Sequence, residues 1–223
     1  MRVTFKLMIL LVVVIATACN KEPQTPPSNG FENGHEWVDL GLSSGLLWAT
    51  CNMGASIPEA SGDYYAWGET EPQYDNAYVW NSYKYYDGSS VAKYYVADGL
   101  ALLTSSDDAA AVNWGGTWRM PTELDLAELK YKCTRTRTTQ NGVEGVLFVS
   151  ENGNSLFLPA VGYRYEGDLL FPGSNGRYWT SSRESGDYNE AKCFYFGPQD
   201  SGGTGTSERC RGFSIRPVCT SQK

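Results

Sequence analysis

The sequence predicts an α+β domain of short antiparallel strands, rich in loops, with two short helices at its flanks. Three observations carry this. Fifteen Tyr, 8 Phe and 7 Trp stand beside 24 Gly and 10 Pro in 223 residues; aromatic residues favour pleated, half-buried surfaces, and Gly and Pro punctuate turns. Only two stretches carry a helix start, a run of helix formers and a stop. The rest divides into short runs that read as strands, and in the last two the side chains follow a period of two. A hydrophobic content of 41% with 19% charge suits a globular chain, and no second linker or long repeat interrupts it after Glu36.

Residues 1–18 read as a signal peptide. Arg2 and Lys6 precede an unbroken apolar run, 7–15, that is far shorter than the roughly 20 residues a bilayer span requires. Ala16-Thr17-Ala18 then leads into Cys19, a pattern that resembles the lipobox of bacterial lipoproteins, in which the thiol is acylated and becomes the new N-terminus. The expected location is the cell envelope, anchored by lipid to the outer membrane, with the side it faces left open. Residues 19–35, with Pro23, Pro26 and Pro27 among polar neighbours, read as an extended tether reaching roughly 40 Å at about 3 Å per residue.

The domain proper is expected over 36–223. Strands are predicted at 37–40, 46–51, 64–67, 146–149, 155–158, 192–196 and 209–218, the fourth and fifth joined by a turn at Glu151-Asn152-Gly153-Asn154. Lys84-Tyr85-Tyr86-Asp87-Gly88 and Lys93-Tyr94-Tyr95 echo one another as two arms of a hairpin. Ser106, Asp107 and Asp108 provide a cap and acids for the positively polarised first turn of a helix that Trp114-Gly115-Gly116 stops. Thr122, with Asp125 three residues on, caps the second helix, whose Leu126, Leu129 and Cys133 at i, i+3 and i+7 face the core. Period-two parity points Phe194 and Phe196 one way and Cys193 and Tyr195 the other. In the final strand Phe213, Ile215 and Cys219 share a face, leaving Cys210 opposite unless Gly212 hosts a bulge. A hairpin centred at 201–202 would then join Cys193 to Cys210 on its outer side.

Charge and composition exclude some functions. Lys plus Arg is 18 against 25 Asp plus Glu, and loss of Arg2 and Lys6 with the leader moves the balance from −7 to −9, so nucleic acid is not an expected partner. The single His, His35, lies near the tether, which argues against His-rich metal sites and against Ser/His or Cys/His hydrolysis.

A set of strings points to a family. Trp37-Val38-Asp39-Leu40-Gly41-Leu42, Trp48-Ala49-Thr50-Cys51-Asn52, Gly62-Asp63-Tyr64-Tyr65-Ala66-Trp67-Gly68-Glu69, Asn113-Trp114-Gly115-Gly116, Trp118-Arg119-Met120-Pro121-Thr122, Phe157-Leu158-Pro159-Ala160, Tyr178-Trp179 and Gly212-Phe213-Ser214-Ile215-Arg216-Pro217-Val218 together resemble the surface lipoproteins of Bacteroidetes related to the Fibrobacter succinogenes major paralogous domain. The resemblance spans about 36–219. It implies a C-type-lectin-like fold, similar to that of formylglycine-generating enzymes and of the variable proteins of diversity-generating retroelements, with two helices flanking small sheets and the first and last strands adjacent. By that likeness, 180–211 displays partner-binding side chains. The likeness also implies a domain-closing Cys133–Cys219 disulfide, with Cys51–Cys219 as its rival, and an odd thiol is left over.

The expected site residues follow. On the terminal hairpin, Arg183, Tyr188, Asn189, Tyr195, Arg209 and Arg211 present charge, amide and aromatic groups with no apolar parity to bury them, and exposed Tyr and Arg are strong anchors for a partner. A second candidate is Trp80, Tyr85, Tyr86, Tyr94 and Tyr95, aromatic residues in a polar segment without core periodicity. Trp48, Trp67, Trp114, Trp118 and Trp179 are assigned to the core, and Arg119 and Arg216 to buried salt links with acids. Asp63, Glu69, Asp107 and Asp108 qualify as catalytic acids by type only, Asp107 and Asp108 being more simply helix N-terminal charges. Lectin calcium strings are absent, and Cys210 and Cys219 do not match a copper-binding pair, so no cofactor and no metal are expected. The leading reading is a non-enzymatic, lipid-anchored surface protein that binds a protein or a glycan. The alternative is a structural or fimbria-associated subunit; an enzyme like the formylglycine-generating group ranks third.

Overall fold

The chain enters the fold earlier than its composition suggests. A computed structural model describes residues 29–75, 77–200 and 202–220; the signal segment, Cys19 and most of the tether lie outside them. Strand β1 (Asn29–Glu32) pairs antiparallel with β2 (His35–Asp39) across a turn in which Asn33 and Gly34 both have positive φ. The end of the stretch read as tether is therefore an edge hairpin. Its polar sequence gives no periodicity because it is held from outside: the Trp118 indole donates to the Glu32 carbonyl at 2.7 Å, and the His35 ring stacks on Trp114 at 3.8 Å between centroids.

Strand β3 (Leu46–Ala49) follows, and β12 (Val218–Thr220) closes the sheet in the order β1-β2-β3-β12, with Val218 opposite Trp48. The second helix falls where its Thr122 cap predicts, whereas the first starts two residues later than a Ser106 cap would place it. Helix α1 (Ala109–Trp114) is capped by Asp108, whose carboxylate accepts from the amides of Ala110 and Ala111. The same carboxylate accepts from the Met120 amide at 2.9 and 3.0 Å, so one aspartate ties the start of α1 to the chain that follows the helix. Helix α2 (Glu123–Lys132) has the Thr122/Asp125 capping box and buries Leu126 and Leu129. A second sheet joins β4 (Thr134–Gln140), β5 (Val143–Val149) and β6 (Ser155–Pro159); a hairpin joins β7 (Tyr163–Tyr165) to β8 (Asp168–Leu170); and a third sheet has the order β11-β10-β9 from β9 (Gly176–Arg183), β10 (Glu190–Phe196) and β11 (Gly202–Glu208). The described residues thus form an α+β arrangement of two helices and several small antiparallel sheets.

Two predicted strands are not strands. Residues 209–211 turn out of β11, Trp67 enters a turn, and the rest of 64–67 and 209–217 is irregular chain joined by isolated bridges, Tyr65 to Phe213, Arg164 to Gly212 and Tyr178 to Ser214. At Gly212 a Cβ would lie 2.7 Å from the Tyr78 ring, which leaves glycine as the residue that lets that ring pack. Conversely β4 and β11 carry no large apolar residue. They are strands because neighbours offer them ladders, a tertiary cause that propensity does not register.

The sheets divide the interior into two cores, which decides the cysteines. Phe194, Phe196, Tyr178, Val218 and Trp48 pack with Leu126, Leu129 and Cys133 on one side. Cys193, Ala191, Trp179, Phe213, Ile215, Cys210 and Cys219 pack on the other with the tryptophans and tyrosines of the loops. Parity therefore separates Phe194 from Cys193 as read, but the face of Cys193 is a second core and not the outside. The hairpin partner of Cys193 is Gly205, so the expected Cys193–Cys210 bridge fails by register. Cys133 and Cys219 belong to different cores, which removes the second expected bridge. All five described cysteines are free, with Cys51 half-buried and the others buried. Burial pushes the thiols of Cys133 and Cys193 up to about 11 and those of Cys210 and Cys219 up to about 12. Iodoacetamide at neutral pH is accordingly expected to label Cys51 in the native domain and the other four only after unfolding, and non-reducing peptide mapping is expected to find these five unlinked. A Cys193 to Cys210 peptide in that map would refute the two-core arrangement.

The five tryptophans assigned to the core are buried. Trp67 and Trp179 lace the loops reciprocally, the first donating to the Thr180 carbonyl and the second to the Tyr65 carbonyl, both at 2.8 Å. Arg119 meets an acid, Asp125 at 2.8 Å, but the pair is only half-buried and not the buried link expected. Arg216 does not meet an acid: fully buried, it donates to Asn52 Oδ1 at 2.8 Å and to the carbonyls of Ala49 and Thr50 at 3.2 and 2.7 Å.

Candidate functional site

The aromatic segment from Tyr78 to Leu100 has little regular structure, only two 3-10 turns, Trp80–Ser82 and Val96–Asp98, so polar anchors must position it. Glu69, buried, accepts from the Lys84 amide at 2.8 Å and from Gln73 Nε2 at 3.1 and 3.3 Å; burial raises its pKa against those bonds. Asp107, also buried, gathers Lys84 at 3.4 Å, the Tyr94 hydroxyl at 2.6 Å, Thr104 Oγ1 at 3.2 Å and a short contact from Lys93. Burial alone would raise the Asp107 carboxyl, but the bonds from Lys93, Tyr85 and Tyr94 outweigh it and hold it well below the usual carboxylate range. Asp107 is thus an anchor for the segment rather than a helix charge; Asp108 is the cap.

Arg209 is the third anchor, and the expectation of an exposed Arg209 is wrong. Its side chain is fully buried. The guanidinium lies over the Trp67 ring at 4.6 Å and donates to the carbonyls of Glu190, Lys93 and Tyr94 at 3.1, 3.0 and 2.9 Å. One side chain from the end of β11 therefore ties the aromatic segment to the terminal hairpin. Tyr85 and Tyr94 are likewise core residues, at 9% and 0% exposure. Their hydroxyls are satisfied inside, by the Gly68 carbonyl and by Asp107, and their rings meet edge to face at 5.9 Å.

Between these two walls opens a cleft of about 760 Å³. Trp80 and Tyr86 line it from the aromatic segment; Asn189, Glu190, Ser207 and Arg211 line it from the terminal sheet and the chain just beyond it. The Trp80 and Tyr86 rings pack at 5.5 Å, and the Trp80 indole donates to Glu208 at 3.4 Å. Arg211 grips Glu208 in a bidentate pair at 2.7 and 2.9 Å and stacks over Tyr165 at 4.6 Å. Arg177 lies over the rings of Tyr195 and Tyr163 at 5.1 and 5.5 Å.

The structure thus distributes the expected site residues. Asn189 and Arg211 from the first candidate meet Trp80 and Tyr86 from the second in this one cleft. Tyr188 and Tyr95 are exposed and line a neighbouring apolar pocket. Tyr195 is surface-exposed beside Arg177 but outside the lining. Arg183 reaches away from the cleft to the Leu100 carbonyl at 3.0 Å. Sequence reasoning passed over Arg177, Ser89, Glu190, Thr206 and Ser207. Strand parity would have found Thr206 had β11 been recognised, but nothing local marks Arg177. The cleft lining holds carboxylates, guanidinium groups, hydroxyls and an amide, with neither thiol nor imidazole. No group of three or more His, Cys, Asp or Glu among the described residues is placed to hold a metal ion.

No protein family, curated protein or solved structure matches the chain. Among the described residues no helix is long and apolar enough to cross a membrane.

Proposed function

We propose that the chain is a lipid-anchored, non-enzymatic binding protein of the bacterial cell envelope, of the major paralogous surface-lipoprotein type, which holds an external ligand in the cleft between its terminal hairpin and its aromatic segment. The observation that carries this is convergence: two faces chosen from sequence on separate grounds contribute side chains to one cleft of about 760 Å³, within the usual size range of ligand sites. The C-type-lectin-like reading is supported by two capped helices flanking small sheets and by a sheet that holds both the first and the last strand, although β12 pairs with β3 and not, as that likeness implies, with the first strand. The lining favours holding over reaction. Glu208 is engaged by Arg211 and Trp80, and a carboxylate committed to a bidentate arginine pair is a poor proton donor or base.

Two experiments test this reading. Cys19→Ser is expected to release the protein from membranes, because that thiol supplies the attachment; partition of the variant with detergent extracts would rule out the lipid anchor. For the cleft, Asn189→Ala combined with Thr206→Ala is expected to weaken capture of a screened ligand about tenfold, with a melting temperature within a few degrees of the parent. Arg183→Ala, outside the cleft, is expected to leave capture intact. Equal capture by the cleft variant and the parent would place the site elsewhere.

A further inference from the structure

The cleft does not stand alone. Against its wall lies a second pocket of about 620 Å³, lined by Val91, Ala92, Tyr95, Val96 and Tyr188. The two share their partition. Ser89 faces the cleft and Ser90 the pocket; Asp187 and Asn189 face the cleft and Tyr188, between them, the pocket. Residues 187–190 form a hydrogen-bonded turn, the Glu190 amide donating to the Asp187 carbonyl at 3.1 Å, and this turn sends Tyr188 to the side opposite its neighbours. On the apolar side, Val96 is 63% exposed, Tyr188 46% and Tyr95 41%, a grouping that a free surface rarely leaves to water without use.

The polar side has an uneven charge. Its carboxylates are Asp187, Glu190 and Glu208, and its cations Arg177 and Arg211. Arg211 is committed to Glu208. Arg177 lies over tyrosine rings and forms no ion pair with a described residue. The Glu190 carboxylate has no hydrogen bond or ion pair with any described residue, and Asp187 accepts only from the Asn189 amide, at 2.8 Å. Asp187 and Glu190, neither in an ion pair, thus share the cleft with the Trp80 and Tyr86 rings, and the lining carries three carboxylates against two guanidinium groups, a balance and a set of ring faces that suit an organic cation.

We infer that the ligand is a polypeptide segment presenting Lys or Arg beside an apolar side chain, the cation entering the cleft among Asp187, Glu190, Trp80 and Tyr86 and the apolar side chain entering the pocket at Tyr188. This rests on the cleft being the ligand site and goes further by naming the chemistry that fills it. A neutral saccharide meets the hydroxyl and amide groups of the cleft but supplies neither the cation nor an apolar group for the pocket. A polypeptide supplies both within two residues, since neighbouring side chains of an extended strand leave opposite faces.

The test uses the mature protein with two probe sets: an array of seven-residue peptides that place Lys or Arg one or two positions from Leu, Phe or Tyr, with Gln and Ser replacements as controls, and an array of neutral and acidic oligosaccharides. Peptides carrying the pair are expected to bind, and loss of either member is expected to weaken binding about tenfold. Asp187→Asn with Glu190→Gln is expected to erase the preference for Lys or Arg while keeping that for the apolar residue, and Tyr188→Ala to do the reverse. These residues are exposed or half-buried, and a thermal melt checks that each variant folds. Saccharide binding that Asn189→Ala abolishes, without peptide binding, would overturn the inference and leave the cleft as the ligand site. Peptide binding indifferent to the Asp187 and Glu190 changes would also overturn it. Failure of both arrays at about 1 mM probe would reject the inference together with the cleft.

Discussion

Arg209→Ala is expected to lower the melting temperature by about 10 °C and to abolish ligand capture, whereas Arg211→Ala, two residues on, is expected to lower it by no more than about 2 °C. The difference follows from what each guanidinium touches. Arg209 satisfies three backbone carbonyls on both walls of the cleft and covers the Trp67 face. Its removal strands those acceptors in a dry interior at about 1 kcal/mol or more each and leaves a cavity against the indole. Together these amount to about 3–5 kcal/mol, and a domain of this size shifts by about 2–4 °C per kcal/mol. Arg211 loses a half-exposed pair with Glu208, of the kind worth about 1 kcal/mol or less. Arg209→Lys should fall between the two, since an ammonium cannot reach three divergent carbonyls and stack at once. Equal melting temperatures for Arg209→Ala and Arg211→Ala, by calorimetry, would show that Arg209 is not the link between the walls.

That contrast also explains what the sequence disclosed and what it hid. The second helix cap was legible because capping is local: Thr122 and Asp125 lie three residues apart and need nothing else; at the first helix Ser106, Asp107 and Asp108 all have capping chemistry, and Asp108 takes the role because Asp107 is drawn to Lys84, Lys93 and Tyr94. Strand faces were legible as well, since the alternation of Cys193, Phe194 and Phe196 is a property of the strand itself. Which face meets water was not. Parity separates two sides, and here both sides of β10 are core, so the inference of an outward Cys193 failed for want of a second layer that only the whole fold supplies. Arg209 and Arg211 are alike by composition and neighbourhood; the carbonyls of Lys93 and Tyr94 that bury the first come from more than a hundred residues away. Tyr85 and Tyr94 looked exposed because their neighbours are polar, yet those neighbours are what make burial tolerable, as Asp107, Lys93 and Thr104 take up the hydroxyl of Tyr94 and the charge around it. The cleft was half legible. Its residues were named on two separate lists, and their meeting depends on long-range anchors.

Asp107→Asn is the second large effect, expected to destabilise by about 2–3 kcal/mol, since it replaces a charged acceptor serving two lysines and a tyrosine by a neutral amide with one acceptor oxygen in place of two. The pH dependence separates this from simple loss of packing. The Asp107 carboxyl titrates lower in the folded protein than an ordinary aspartate, so its contribution is complete above the unfolded carboxylate pKa near 4 and is lost as pH falls towards the folded value. Lys93 is displaced upward, first by the hydrogen bond to Asp107, so its share is complete below the unfolded lysine value near 10 and is lost as pH rises through the folded one. The stability gap between parent and Asp107→Asn should therefore be flat from about pH 5 to 9 and narrow on both sides. Denaturant titrations at pH 3, 7 and 10.5 measure it. A gap that stays constant down to pH 3 would mean that Asp107 acts by shape alone, and the wall of the cleft would not depend on its charge. If the gap narrows in acid, the aromatic segment should loosen first, so Trp80 emission and ligand capture should change together at a pH where the fluorescence of the buried tryptophans is still native.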